Sequence, residues 1–175
     1  MMRKISDSMV YMDGAFHFCD LILDDGRIVA IEEKQGADDI RCSRYIFPGF
    51  VDVHVHLRQP GFSYKETIKT GSEASAHGGY TTVCAMPNLN PVPDCMENLQ
   101  AQLDIINEDA CIHVLPYGTI TKAQKGEALS DMEAMAPYVA GFSDDGKGVQ
   151  HDDMMREAMR KAKSLGKMIT AHCED

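Results

Sequence analysis

A chain of 175 residues with 44% hydrophobic content can bury a full core, so neither disorder nor a disulfide-stapled miniature is indicated. A formal charge of -10 excludes the clustered basic excess that nucleic acid demands. No apolar run is long enough to cross a bilayer, and Met1-Met2-Arg3-Lys4 is not followed by a signal-peptide segment, so a cytoplasmic location is expected.

In chain order, the first feature is Leu21-Ile22-Leu23-Asp24-Asp25-Gly26-Arg27-Ile28-Val29-Ala30-Ile31, two β-branched runs around Asp-Gly, which predicts a hairpin. Residues 1–46 therefore read as a small β-sandwich-like module. From Pro48-Gly49 the pattern changes to apolar strands separated by polar, helix-prone stretches. Strands are expected over Phe50–His54, Thr81–Met86, Ile112–Thr119, Tyr138–Ser143 and Met168–His172, and helices over segments such as Asp94–Ile106 and Asp152–Leu165. The last helix runs from acidic to basic, as a helix dipole favours, and its methionines are expected to face the core. This alternation is the signature of α/β architecture around a parallel sheet. A closed (β/α)8 barrel takes about 250 residues, so residues 47–175 would supply a partial TIM-type barrel, its first five βα units, and the chain reads as cut short.

The six cysteines, at 19, 42, 84, 95, 111 and 173, have neither a Cys-x-x-Cys pair nor structural-zinc spacing. Cys84 and Cys173 lie in apolar runs and are expected to be small buried hydrophobes.

His54 and His56 stand two apart, so on a strand both imidazoles point to one side and can reach one ion. A bare His-x-His is more often a pair of hydrogen-bonded strand histidines. Here Asp52 precedes it and Arg58 follows it, at what would be the C-terminal mouth of a barrel strand, where barrel enzymes place their chemistry. Asp144-Asp145-Gly146 alone would be ordinary turn chemistry, Asn88 alone an Asx-turn residue and Arg58 alone a solvated charge. His77 and His113 have no motif around them and read as structural.

The run Phe47-Pro48-Gly49-Phe50-Val51-Asp52-Val53-His54-Val55-His56-Leu57-Arg58-Gln59-Pro60-Gly61 resembles the signature of dihydroorotases in the amidohydrolase superfamily. Tyr64-Lys65-Glu66-Thr67, Gly78-Gly79-Tyr80-Thr81-Thr82-Val83, Met86-Pro87-Asn88, Phe142-Ser143-Asp144-Asp145-Gly146 and Ala171-His172-Cys173-Glu174 follow in that family's order, across essentially the whole chain. The resemblance implies one or two Zn2+ ions, with His54 and His56 on the first, an Asp bridging, and His172 on the second. Asp145 is favoured as the bridge by its separation from His172, with Asp144 the open alternative. Arg58 and Asn88 would hold a substrate carboxylate, for which a guanidinium fork is suited. Gln59 and Leu89 depart from the family pattern without removing a ligand.

The activity so implied is reversible hydrolysis of the cyclic amide of dihydroorotate to N-carbamoyl-aspartate, a step of pyrimidine biosynthesis. The family's proton-shuttling Asp is expected beyond residue 175, so this chain by itself is expected to be inactive. The implied partner is a small-molecule substrate, with neither nucleic acid nor membrane; a homodimer and association with a transcarbamoylase are arrangements the resemblance allows. Rival readings are a hydantoinase- or allantoinase-like amidohydrolase, whose carboxylated lysine has its only nearby counterpart in Lys147, and a non-catalytic scaffold for a transcarbamoylase.

Overall fold

A computed structural model describes residues 1–34 and 44–173. Cys42 and Glu174 lie outside them. The chain divides into two compact units, Met1–Pro48 and Gly49–Asp175.

In the first unit, β1 (Arg3–Met12), β2 (Ala15–Asp24), β3 (Arg27–Glu33) and β4 (Tyr45–Ile46) form one sheet of order β3-β2-β1-β4, antiparallel except for the parallel β1/β4 pair. Both hairpin turns are Asp-Gly. Asp13, Gly14, Asp25 and Gly26 all have positive φ (50°, 84°, 48° and 72°), the backbone that matches a two-residue turn to the twist of its strands. The second turn is the predicted one. Val10, Cys19 and Leu21 are buried together, flanked by Ile5, Met12 and Ile46. Asp20 is buried beside them, and its carboxylate takes Lys34 Nζ and Lys4 Nζ at 2.7 Å each and the Asp7 amide at 2.9 Å. These partners hold its carboxyl well below the usual carboxylate range, Lys34 contributing most and Lys4 next.

In the second unit, strands and helices alternate: β5 (Phe50–Val55), α1 (Ile68–His77), β6 (Tyr80–Ala85), α2 (Met96–Asp109), β7 (His113–Pro116), the short α3 (Met132–Met135), β8 (Gly141–Phe142), α4 (Asp152–Ser164) and β9 (Met168–Ile169). β5, β6 and β7 pair in parallel in that order, as do β8 and β9. A parallel bridge from Gly118 to Phe142 continues the first set into the second. This is the expected mixed α/β alternation.

One face of these strands is apolar and meets the helices. Val83, Ala85 and Val114 pack with Ile68 of α1 and Ile105 and Ile106 of α2, and Phe142 packs with Leu99, Met132, Met135, Ala158 and Ala162. Because side chains alternate along a strand, the neighbours of these residues face the other way. There Cys84, Met86 and Tyr117 form a separate buried cluster.

Several boundaries differ from expectation. The fourth strand is Gly141–Phe142 rather than Tyr138–Ser143, because Ala136–Tyr138, with Pro137 inside it, is a 3-10 turn. The fifth ends at Ile169, so His172 lies beyond it. α2 starts at Met96 rather than Asp94 and runs to Asp109. In α4 the buried stripe is Ala158 and Ala162; Met155 packs against the core, but Met159 is exposed, contrary to the expected inward methionines. Cys84 is buried as expected, whereas Cys173 is exposed, because the segment following β9 lies at the surface.

Candidate metal centre

His54 lies near the end of β5 and His56 just past it, and their rings sit 5.3 Å apart. Asp145 lies three residues after β8, and His172 three after β9. Phe142 points into the helix-side core, and the chain leaves the strand after it, so that Asp145, in the turn that follows, faces the histidines. Its carboxylate is 5% exposed and ringed by imidazoles: Oδ1 is 3.6 Å from His54 Nε2 and 3.1 Å from His172 Nδ1, and Oδ2 is 3.6 Å from His56 Nε2. One donor atom each from His54, His56 and Asp145 fall within 4.8 Å of one another, a grouping able to hold an ion.

Asp144 faces away. Its carboxylate accepts the Ile120 amide at 2.8 Å, the Thr121 amide at 3.2 Å and the Thr121 hydroxyl, so it fastens the loop after β7. Burial pushes its carboxyl up, against the pull of those donors. Adjacent acids thus have opposite surroundings.

Burial is the main cause that lowers the His56 pKa; Arg58 and His54 act in the same direction and Asp145 against it. His56 is thereby favoured as a neutral imidazole, the state in which a nitrogen lone pair is available to a cation. Its Nδ1 is buried, as is Asn88 Oδ1, and Asn88 acts on His56 in the same direction as Asp145.

Arg58 follows the histidines with φ of 59°, an uncommon conformation for a non-glycine residue, and its carbonyl accepts the Phe62 amide at 2.9 Å. Asn88 Nδ2 donates to the Asp145 carbonyl at 2.6 Å, tying the loop after β6 to the one after β8. Gln59 Oε1 accepts the first amide of α1, from Ile68, at 3.0 Å, so its departure from the family pattern serves a helix start. Lys147 is exposed in the turn that Asp144 closes through its carbonyl. His77 and His113 are exposed and stand outside the cluster. Sequence reasoning missed Tyr117, whose phenol reaches the Val53 carbonyl, because an inward strand tyrosine has the same pattern as a core residue.

Residues 43–175 match the family described as dihydro-orotase-like. A dihydroorotase of Fusobacterium nucleatum is 51% identical over 165 residues, covering 91% of this chain and 39% of the relative; one of Staphylococcus aureus (strain Mu50) is 46% identical, covering 99% and 42%. The chain thus spans about 40% of the length of these relatives. Among solved structures, an L-hydantoinase (dihydropyrimidinase) from Arthrobacter aurescens superposes with a TM-score of 0.77 at 19% identity, covering 98% of this chain and 40% of that one. A D-hydantoinase from a Thermus species gives 0.72 at 24%, with the same coverage. At those identities the likeness is one of fold. The sequence matches go further: the chain belongs to the dihydro-orotase-like family.

Proposed function

We propose that these residues carry the His54, His56, Asp145 and His172 part of a zinc-dependent dihydroorotase site, at the C-terminal rim of a partial (β/α)8 barrel formed by residues 47–175 and preceded by the β module of residues 1–46. The observation that carries the reading is the single buried carboxylate of Asp145 facing three imidazoles. The donor set suits zinc: two donors at zinc's bond lengths in a tetrahedron stand about 3.3 Å apart, close to the 3.6 Å between Asp145 and either His54 or His56. His54, His56 and Asp145 would hold one ion, and Asp145 with His172 a second.

When bound, zinc supplies Lewis acidity, polarising a carbonyl and lowering the pKa of water to about 7. The chain's own residues do the rest of the work assigned here. Arg58 pairs with the carboxylate of dihydroorotate or N-carbamoyl-aspartate, a fork that matches that group in bidentate geometry. Asn88, whose Nδ2 already donates one N–H to the Asp145 carbonyl, would turn its second amide N–H toward the same carboxylate as a neutral donor. A hydantoinase-like reading would need a lysine facing the histidines; Lys147 is exposed, and Asp145 holds that position instead. Among the described residues no helix is long and apolar enough to cross a membrane; a cytoplasmic location is part of the proposal.

The test is zinc content by elemental mass spectrometry for the chain and its Asp145→Ala variant, with dihydroorotate and hydantoin turnover measured on the full-length gene product. Zinc bound by the parent and lost in the variant, with turnover of dihydroorotate but not hydantoin, is expected. Equal zinc in both, or preference for hydantoin, overturns the reading.

A further inference from the structure

β5 carries His54 and leads directly into His56, and among the described residues it pairs with β6 alone. That pairing is broken where the histidines begin. Asp52 pairs with Val83 and Val55 with Ala85, so two residues of β5, Val53 and His54, stand opposite one, Cys84. This is a β-bulge, a device that bends a strand and re-aims a side chain, at the cost of ladder bonds at that point. A bulge with no other support would leave His54 able to turn.

Two side chains supply that support. The Tyr117 phenol donates to the Val53 carbonyl at 3.2 Å, and the Asp52 carboxylate accepts the His54 amide at 3.0 Å. Carbonyl and N–H belong to one peptide unit, the one joining Val53 to His54, so that unit is gripped from both sides. Tyr117 is well placed to act as a fixed post. It is 1% exposed, its own amide is bonded to the Ala85 carbonyl at 2.9 Å, and it packs with Cys84 and Met86. Its ring also runs over Gly141 of β8, where a Cβ would lie 3.2 Å from Cε1. The same ring therefore touches the strand that leads to Asp145.

We propose that Tyr117 and Asp52 are positioning residues that clamp the Val53–His54 peptide on its bulge, and so aim the His54 imidazole at Asp145. The inference rests on the metal reading given above. Neither side chain belongs to the ligand cluster, and each acts through His54.

Tyr117→Phe removes the hydroxyl and keeps the ring; Asp52→Asn weakens the acceptor and keeps the shape. The probe is Zn2+ in competition with a chromophoric chelator, read beside thermal melting and amide hydrogen exchange at His54. For each variant we expect zinc affinity to fall on the order of 10- to 100-fold, the scale known for outer-shell partners of metal ligands, with faster exchange at His54 and a melting temperature close to the parent's. Should Tyr117→Phe fail to fold, Asp52→Asn decides. Parental zinc affinity in every folded variant overturns the clamp while leaving the metal reading intact, as does weakened binding accompanied by general unfolding. A parent chain that binds no zinc overturns the metal reading and the clamp together.

Discussion

Asp144 and Asp145 show how far one position changes the work of a carboxylate. Asp144 is consumed by three donors of Ile120 and Thr121, and Asp145 by the imidazoles. Asp144→Ala strands those buried donors, and hydrogen bonds to a charged group are worth about 1.5–3 kcal/mol each, so chemical denaturation should show a loss of at least about that size. Asp145→Ala should instead leave stability nearly unchanged and abolish zinc binding; if the two phenotypes were exchanged, the assignment of roles would be wrong. The His-x-His pair was legible in sequence because a period of two is all that it needs. Between the two aspartates only the resemblance favoured Asp145, by its separation from His172; the residues' own pattern left both open, because what distinguishes them, Ile120 and Thr121 for one and the histidines for the other, comes from other parts of the chain. Tyr117 was illegible for a similar reason: only the tertiary fold brings its hydroxyl to a strand 64 positions away.

At the scale of elements, the order of strands and helices could be read from the sequence, while their ends could not. β8 and β9 are two residues each because pairing, rather than propensity, sets their length. Their contact is close: a Cβ on Gly141 would lie 2.7 Å from the Met168 carbonyl oxygen. Gly141→Ala must push the two strands apart, and overpacking of this kind costs about 1–3 kcal/mol. Urea denaturation should show that loss, with weaker zinc binding, since Asp145 and His172 follow these strands. In the first unit the Asp25-Gly26 turn was visible between its β-branched flanks; Asp13-Gly14 has the same turn chemistry, but its flanking runs are mixed with Met, His and Tyr and carry a weaker strand signal. Asp20 there has a lowered pKa in the fold, so its stabilisation is complete above the unfolded value of about 3.9 and is lost as pH falls through the lower native one. Between about pH 4 and pH 2, melting of the parent should therefore fall more steeply with pH than melting of Asp20→Asn; parallel curves would show that the lysines do not matter to it.

For the molecule as a whole, β5 is a described sheet edge on which Phe50, Val51 and Val53 are exposed by 54, 57 and 60%. Exposed apolar edges recruit further strands. The 175-residue chain should thus associate as its concentration rises in sedimentation velocity, and Val51→Lys should suppress the association; a monomer at every concentration would contradict this. The candidate ligands also have a temporal consequence. They follow strands far apart in the chain, so an ion held by His54, His56 and Asp145 would act as a removable staple across a long loop, and such non-local contacts are slow to form because loop closure must precede them. The staple would be fastened late, which means that added zinc should retard the opening of the fold far more than it hastens its assembly.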